Sequence, residues 1–515
     1  MRASRFSRSC LLVGLIGVGS GCQFDRPRDI APADAATAGF VVEPIPGAWV
    51  RVGESVDVAV RILREPGFEE PIVLNLVGAP TGVTAASAII PAGAVGGQLR
   101  IDVALAAGSP GETVDLTIVA DAGHGTRDAS ARLRLKGGVG ALDQTFGVLG
   151  IAATSSGTYG GYLRLGNRHL VATENRVYAF DETGVVDAAF ATGGVLTVAP
   201  DGLDASMPRR AFLVPSTAGR FKLVVAGDID RGSGVSLGGA VLQFSDTGVP
   251  DPAFPERGFA LPGSFTVNVV VAGADGALYV AGDHDTGVEV EGAVARLLPS
   301  GFRDTAFGPQ GYLRWAGAIV TAVSAADPRV VIAVAGATTT HLYGVDVHGA
   351  PDAGFGANGD VAVDDLIGLP GCGLLAGHLS PAPANGLWVG GLTCLGASSR
   401  GALVRLTGAG AADSTFAGDG VWLGVSDELG SVHGVARLPD GTLIVIGTPR
   451  ANASQTTLYH LRADGTHLID VDPSGARDIG VASGIPTTPM VDIDLPYIYI
   501  AGPLAGRAAV ARAWY

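Results

Sequence analysis

The feature that most constrains this chain is a repeat with a period of about 55 residues. A short apolar segment that ends in a small residue occurs seven times, and its last residues are Thr173, Gly227, Gly282, Gly336, Gly391, Gly447 and Gly502. Successive end positions differ by 54, 55, 54, 55, 56 and 55 residues, which is too regular for chance. A period of this length indicates supersecondary units that bury their apolar faces by packing on neighbouring units.

Two further segments recur within each unit. A second apolar run follows the first, from "RVYAF" in the first copy to "AVARA" in the seventh. A D-x-x-F segment is found at Asp143/Phe146, Asp187/Phe190, Asp251/Phe254, Asp304/Phe307, Asp352/Phe355 and Asp413/Phe416, and a degenerate copy spans His467 to Gly475. Because Asp commonly accepts backbone N–H bonds in turns, we interpret it as a turn residue, and the Phe as packing between units.

These segments resemble the delta-60 repeat β-propeller family, whose units carry an L-D-x-x-F-G-x-x-G segment and a K-I-L-V-A-G-like strand. The resemblance covers about residues 139–515. It implies a propeller fold and little chemistry, since the family has no known biochemical function. Seven strand pairs predict a seven-bladed β-propeller over residues 138–515. The last unit lacks an outer strand before Tyr515, so we predict that the N-terminal strand 142–154 closes the ring.

The preceding residues, 38–137, predict a second all-β domain. Apolar and polar residues alternate in six segments, such as Val56 to Ile62 and Val114 to Val119, which is typical of half-buried strands. The stretch resembles the immunoglobulin-like β-sandwich domains of secreted bacterial proteins, without the cysteines of antibody domains. We favour a spacer that lifts the propeller from a membrane, and ligand binding is the alternative. The predicted fold is therefore all-β, a propeller with an N-terminal β-sandwich.

The first residues read as an export signal. Arg2, Arg5 and Arg8 precede a short apolar run, and small residues lead into Cys22. This layout resembles the lipobox of bacterial lipoproteins, so we predict a signal peptide at 1–21, lipidation of Cys22 and a tether at 22–37. A signal peptide without lipidation is the alternative. We expect the protein in the cell envelope, at the outer membrane or cell surface, or otherwise secreted.

Charge excludes one class of partner. The chain carries a formal net charge of −15, and removal of the three signal arginines lowers it to about −18. Nucleic-acid binding needs clustered Lys and Arg that displace counterions, so we expect no nucleic acid. The expected partners are the membrane, through the lipid anchor, and an envelope or extracellular protein or glycan. We expect a monomer.

Four residues in two loops are the candidate ligand or metal positions. Asp228 and Asp230 lie in one repeat, and Asp283 and Asp285 lie at the corresponding place in the next. Oxygen ligands at alternate positions suit Ca²⁺, although neither loop has the full pattern of a calcium-binding loop. An ordinary solvated loop is the favoured interpretation, so no cofactor is predicted and Ca²⁺ is the alternative.

Cys372 and Cys394 are the remaining cysteines outside the signal. They lie on two consecutive predicted strands with the turn "SPAPANG" midway between them, which places them opposite each other. In an exported protein this arrangement predicts a structural disulfide, and a catalytic thiol is the alternative.

The sequence contains no recognisable catalytic motif. It has no H-E-x-x-H, no G-x-S-x-G and no phosphate-binding glycine loop. The leading hypothesis is therefore a non-enzymatic envelope lipoprotein that binds partners or acts as a scaffold through its propeller loops. The alternative is a propeller enzyme, a lyase or glycosidase, acting on an extracellular polymer with paired carboxylates.

Overall fold

A computed structural model describes residues 39–198, 210–216, 219–230, 236–254, 257–259, 264–326, 329–337, 339–367, 373–393, 400–424, 429–449, 456–468, 476–478 and 490–515. Within these ranges the only helical elements are a four-residue helix, Asp364–Ile367, and one 3-10 turn, Pro309–Gly311. All other regular structure is β, which confirms the predicted all-β class. The many glycines and short apolar runs account for this, because they favour tight turns between short strands.

The first unit contains nine strands. They are β1 (Phe40–Val42), β2 (Ala48–Arg51), β3 (Ser55–Arg64), β4 (Ile72–Val77), β5 (Val83–Ala85), β6 (Ala88–Ile90), β7 (Gly96–Val103), β8 (Thr113–Asp121) and β9 (Thr126–Lys136). They form two sheets in the orders β1-β3-β7-β5 and β2-β9-β8-β4-β6. All six alternating segments of the sequence lie in strands, and β2, β5 and β6 are additional.

The two sheets of this unit enclose one core. Along β3 and β7 every second side chain is buried, as a strand with one solvent face requires. Val60, Leu99 and Leu133 are among the residues of this core with no exposed surface. At the edge of the second sheet, β2 pairs in parallel with β9, so that Trp49 lies beside Arg134.

The remaining strands are β10 (Ile151–Ala153), β11 (Gly161–Leu165), β12 (Arg168–Ala172), β13 (Arg176–Phe180), β14 (Val195–Thr197), β15 (Arg210–Pro215), β16 (Arg220–Asp230), β17 (Ser236–Ser245), β18 (Arg257–Phe259), β19 (Ser264–Ala272), β20 (Leu278–Asp285), β21 (Val290–Leu297), β22 (Tyr312–Ala316), β23 (Ile319–Ala326), β24 (Arg329–Ala335), β25 (Thr340–Val345), β26 (Asp360–Ala362), β27 (Leu374–Ala382), β28 (Gly386–Thr393), β29 (Arg400–Leu406), β30 (Val421–Leu423), β31 (Leu429–Arg437), β32 (Leu443–Pro449), β33 (Thr457–Leu461), β34 (Ala476–Asp478), β35 (Met490–Asp494), β36 (Tyr497–Leu504) and β37 (Arg507–Trp514). They form seven antiparallel sheets of four strands each.

These sheets are arranged as a ring. The described residues contain seven apolar clusters outside the first unit, and each cluster is shared by two consecutive sheets. One of them joins the last sheet to the first, through Tyr499 and Val510 on one side and Tyr162 and Val171 on the other. The first strands of consecutive sheets also contact each other in a closed cycle, from β11 through β15, β19, β23, β27, β31 and β35 back to β11. They therefore form the inner wall of the ring.

The sheet that closes the ring combines two distant segments. Its order is β10-β37-β36-β35, and Ala152 of β10 is opposite Val510 of β37. The pairing extends beyond the strand: Asp143 N–H donates to the Arg512 carbonyl, and Thr154 N–H donates to the Ala508 carbonyl, both at 2.8 Å. In the other six sheets all four strands come from one continuous stretch of chain.

The D-x-x-F segments join the sheets to one another. Phe146, Phe190, Phe307, Phe355 and Phe416 are at most 1% exposed, and each lies in the cluster between its own sheet and the next. The backbone then turns sharply with a positive φ, as at Gly147 and Gly356. A side chain at Gly147 would come within 2.2 Å of the Ile151 carbonyl oxygen, which explains why glycine follows Phe there.

Candidate functional site

The repeated Asp residues are engaged in structural contacts. In each of the six copies, Oδ1 accepts a hydrogen bond from the backbone N–H two residues later, at 2.8–3.1 Å. The other carboxylate oxygen contacts a guanidinium, in the pairs Asp143–Arg512, Asp187–Arg168, Asp251–Arg220, Asp304–Arg296, Asp352–Arg329 and Asp413–Arg405. Both oxygens are thereby used to hold the turn against its sheet.

The arginine partners come from two places, which is why the sequence pattern did not show them. Arg296, Arg405 and Arg512 lie on the third strand of their sheets. Where that strand has another residue instead, as at Gly344, the arginine comes from the start of the second strand, as with Arg329. The ion pair therefore forms at the same place in each sheet, although the arginine occupies different positions along the repeat.

Asp283 and Asp285 lie at the end of β20 and have different surroundings. Asp283 is half-buried and accepts a hydrogen bond from Asn268 Nδ2 at 2.8 Å. Burial raises the pKa of the Asp283 carboxyl. Asp285 is exposed, and its Oδ1 accepts the Gly287 N–H at 2.8 Å, as in an ordinary turn.

Asp228 and Asp230 are among the last three residues of β16, and their side chains are outside the described part of the structure. Within the described residues, no group of three or more His, Cys, Asp or Glu side chains could hold a metal ion. The hypothesis that these four aspartates bind Ca²⁺ stays a prediction.

The inner wall of the ring carries a second feature that the sequence did not reveal. The first strands β19, β23, β27 and β31 each contain a register shift, as at a β-bulge. β31 has two register shifts, and the second leaves out His433, whose Nε2 lies 2.7 Å from Ser431 Oγ and 2.6 Å from Thr448 Oγ1. Burial lowers the pKa of His433 to about 4, so this part of the wall is neutral at pH 7.

Cys22, Cys372 and Cys394 all lie outside the described residues. The strands next to the cysteine pair, β27 and β28, are antiparallel neighbours, and the last paired positions are Leu374 and Thr393. Lipidation and the disulfide therefore stay predictions.

The first unit packs against the ring-closing sheet through aromatic residues. The Trp49 ring lies 5.9 Å from that of Trp514 and 6.0 Å from that of Tyr497. Lys136 Nζ lies 5.3 Å from the centre of the Tyr515 ring, a favourable cation–π position. Rigid aromatic contacts of this kind fix one unit on the other.

A groove lies at this junction, and we take it as the candidate functional site. One cavity, of about 380 Å³, is bounded by Trp49 and Arg134 of the sandwich and by the Gly166–Asn167 and Asp494–Pro496 loops of the propeller. A second cavity, of about 480 Å³, is also bounded by Trp49 and Arg134 and continues along the sandwich to Arg132 and Asp115. The two cavities adjoin at Trp49 and Arg134, and we refer to them together as the groove; only the first of them is lined by both units.

The charged side chains differ between the two sides of the groove: arginine is paired with aspartates on the propeller side and lies beside an aromatic ring on the sandwich side. On the propeller side, Arg164 pairs with Asp492 at 2.5 Å and with Asp494 at 2.8 Å. His169 is buried beside Arg164 and Arg512, and burial together with these cations lowers its pKa to about 3. On the sandwich side, the Arg134 guanidinium lies 5.3 Å from the centre of the Trp49 ring. The sequence analysis missed Trp49 because its partners come from distant parts of the chain.

No helix among the described residues is long and apolar enough to cross a membrane.

A comparison with family models agrees with the β-propeller fold and adds no activity. A family described as a domain of unknown function (DUF5122) beta-propeller matches residues 273–307. No curated protein matches the chain. A structure from a study of two prolyl endopeptidases shares 11% identity, with a TM-score of 0.35, over 70% of this chain and 50% of that one.

Two other solved structures show weaker likeness. An endo-fucoidan hydrolase from glycoside hydrolase family 107 shares 11% identity over 47% of this chain and 30% of that one, with a TM-score of 0.16. A chimeric titin Z1Z2 tandem shares 15% identity over 36% of this chain and 91% of that one, with a TM-score of 0.13. The chain spans half the length or less of the two enzymes.

Proposed function

We propose that this protein is a non-enzymatic lipoprotein of the cell envelope that binds a partner through propeller loops. The observation that supports this most directly is the groove between Trp49 and the Asp494–Pro496 loop. Its walls come from two units that are held together by aromatic packing, so the site is formed before a ligand arrives. A preformed groove binds with little loss of conformational entropy.

In this proposal the sandwich is part of the binding surface and more than a spacer. Cys22 carries the lipid that keeps the protein at the outer membrane or the cell surface. A Cys372–Cys394 disulfide stabilises the sheet that contains β27 and β28 in that oxidising environment. The mature protein acts as a monomer.

Site-specific crosslinking tests where the partner binds. A photoreactive amino acid replaces Asn167, an exposed residue of the groove, in the full-length protein expressed in its own cell envelope. The control carries the same group at Val288, which is 95% exposed and lies in the loop after Asp285. We expect a crosslinked envelope component from position 167 alone. Capture from position 288 alone would place binding at the acidic loops, and capture from neither would contradict a binding function.

Radioactive fatty acid tests the anchor separately. We expect label in the wild type and none in Cys22→Ser. An unlabelled wild-type protein would contradict the lipoprotein assignment.

A further inference from the structure

The sandwich face beside the groove is basic, although the protein as a whole is acidic. Four cationic residues lie on two neighbouring strands: Arg132, Arg134 and Lys136 at alternate positions of β9, and Arg51 on β2. Residues two apart on a strand share one face, and Arg51 is the partner of Lys136 in the parallel pairing. The chain carries a net charge of −15, so this concentration of positive charge is local.

The positive charge of this face is only partly neutralised. Asp115 pairs with Arg132 and Glu54 pairs with Arg51, both at 2.9 Å. No carboxylate among the described residues lies within ion-pair distance of Arg134, whose guanidinium instead stacks beside Trp49. Burial lowers the pKa of Lys136, and charge repulsion from the neighbouring Arg51 lowers it further. An anion bound here would relieve that repulsion.

The direction of the groove indicates what kind of chain fits. It crosses the strands, from Asp115 on β8 to Arg132 on β9 and Trp49 on β2, and then reaches the propeller loops. A peptide that adds a strand to a sheet would follow the edge of β2. A chain that lies across the face of the sheet contacts side chains only, so its recognition depends on their chemistry.

Those side chains combine an aromatic ring, guanidinium groups and small polar groups. The C–H face of a sugar ring packs on an indole, and guanidinium binds carboxylate in a planar, two-point arrangement. Ser130 and Asn167 at the two ends of the groove supply hydrogen bonds for hydroxyl groups. Each cavity has the size of a small-molecule site.

We propose that this groove binds an acidic saccharide chain, with Trp49 as an aromatic contact for the sugar and Arg134 as the anion contact. This inference rests on the proposed function, because it names the ligand class of the same groove. The remaining acidic surface of the protein would keep the chain in the groove, since it repels anionic sugars elsewhere.

Calorimetric titration of the full mature protein tests the inference. The probes are a galacturonate oligosaccharide, a neutral glucose oligosaccharide of equal length and a glutamate peptide of equal charge. We expect binding of the galacturonate oligosaccharide and at least about tenfold weaker binding of the other two. Equal affinity for the neutral sugar would overturn the role of the cations, and equal affinity for the peptide would overturn the saccharide assignment.

Substitutions locate the binding. Arg134→Gln and Trp49→Phe should each weaken galacturonate binding by about tenfold. Arg134→Gln should leave the unfolding midpoint unchanged, because the Trp49–Trp514 and Trp49–Tyr497 contacts remain in that variant. Arg100→Gln is the matched control, because Arg100 is an exposed arginine on β7 of the opposite sheet. An effect of Arg100→Gln equal to that of Arg134→Gln would overturn the site.

Two further outcomes separate this inference from the proposed function. If the oligosaccharide does not bind while crosslinking from position 167 still captures an envelope component, the ligand class is wrong and the binding function stands. If the oligosaccharide is bound and then cleaved, so that new reducing ends or unsaturated products appear, the non-enzymatic function is overturned and the saccharide assignment stands.

Discussion

The ring-closing sheet and the sheet built from β23 to β26 have the same four-stranded plan but different connectivity. In the second sheet, hairpins and loops of one continuous segment, residues 319–362, join all four strands. In the closing sheet, β10 reaches β37 across more than three hundred residues of sequence. Backbone hydrogen bonds and side chains must therefore do there what chain connectivity does elsewhere, because joining distant segments costs more loop entropy.

The side chains of the closing sheet reflect this requirement. Asp143 has no exposed surface, and the side chain of its partner Arg512 is 8% exposed. Arg512 also lies 4.7 Å from the Phe146 ring centre and 4.3 Å from that of Tyr497. In the other sheet, the Asp352 side chain of the corresponding pair is 28% exposed. The Asp–Arg pair is thus more deeply buried in the sheet that combines two distant segments of the chain.

Removal of the closing segment should have the largest effect. Deletion of residues 139–155 takes away β10 and Phe146, so we expect loss of the main cooperative unfolding transition of the propeller in differential scanning calorimetry. The control deletes Gly287 and Val288 from the exposed loop between β20 and β21, which should leave the transition in place. An unchanged transition after the larger deletion would show that the ring does not depend on this segment.

Replacement of the repeated Phe by Ala should lower the free energy of unfolding equally in the closing sheet and in the sheet from β23 to β26. Phe146 is 0% exposed and Phe355 is 1% exposed, so Phe146→Ala and Phe355→Ala should each lower the free energy of unfolding by about 3–5 kcal/mol. Urea denaturation followed by circular dichroism measures this. A much larger loss for Phe146→Ala would indicate that the packing of this Phe, and not only the ion pair, is specialised for closure.

The repeated ion pairs should contribute different amounts of unfolding free energy in the two sheets. Arg512→Met leaves the Asp143 carboxylate buried without its partner, which should cost about 3–5 kcal/mol of unfolding free energy. Arg329→Met affects a pair that water reaches more easily, and a loss of about 1 kcal/mol is expected. The same denaturation experiment compares them, and equal losses would mean that burial does not separate the two sheets.

A further effect, smaller than that of Arg512→Met, concerns the pH dependence of stability at the junction of the closing sheet with the first sheet. His169 is 1% exposed, and its pKa is lowered from 6.5 to about 3. Between these values the unfolded chain binds a proton that the folded protein does not, so stability falls as the pH drops below 6.5 and levels off near 3. His169→Gln should reduce this loss by about 1–2 kcal/mol between pH 7 and pH 5. His348→Gln, at an exposed histidine, is the matched control.

Much of the fold could be read from the residues, because the repeat acts locally. The period of the apolar segments, the Asp that forms each turn and the Phe that follows it all depend on short-range chemistry, and their roles are visible one unit at a time. The arginine partners escaped detection because Arg296 and Arg329 occupy different strands while reaching the same point in space. Periodicity detects equal spacing in sequence, and this ion pair is conserved in position only within the folded sheet.

The candidate site depended on distance in three dimensions. Asp283 and Asp285 stood out in the sequence because they are close together, yet the first bonds Asn268 and the second caps a turn. No sequence pattern distinguished Trp49 from other aromatic residues. It belongs to the candidate site because Tyr497 and Trp514, which are distant in sequence, pack beside it.

The amino-acid sequence by itself determined the strand-rich character of the chain and its turns, since hydrophobic period and turn chemistry are properties of neighbouring residues. Only the tertiary structure decided how deeply each Asp–Arg pair is buried and where the sandwich sits on the ring. It also decided that one groove lies between residues more than three hundred positions apart. Burial and long-range contacts arise when distant segments pack, and no local pattern records which segments those are.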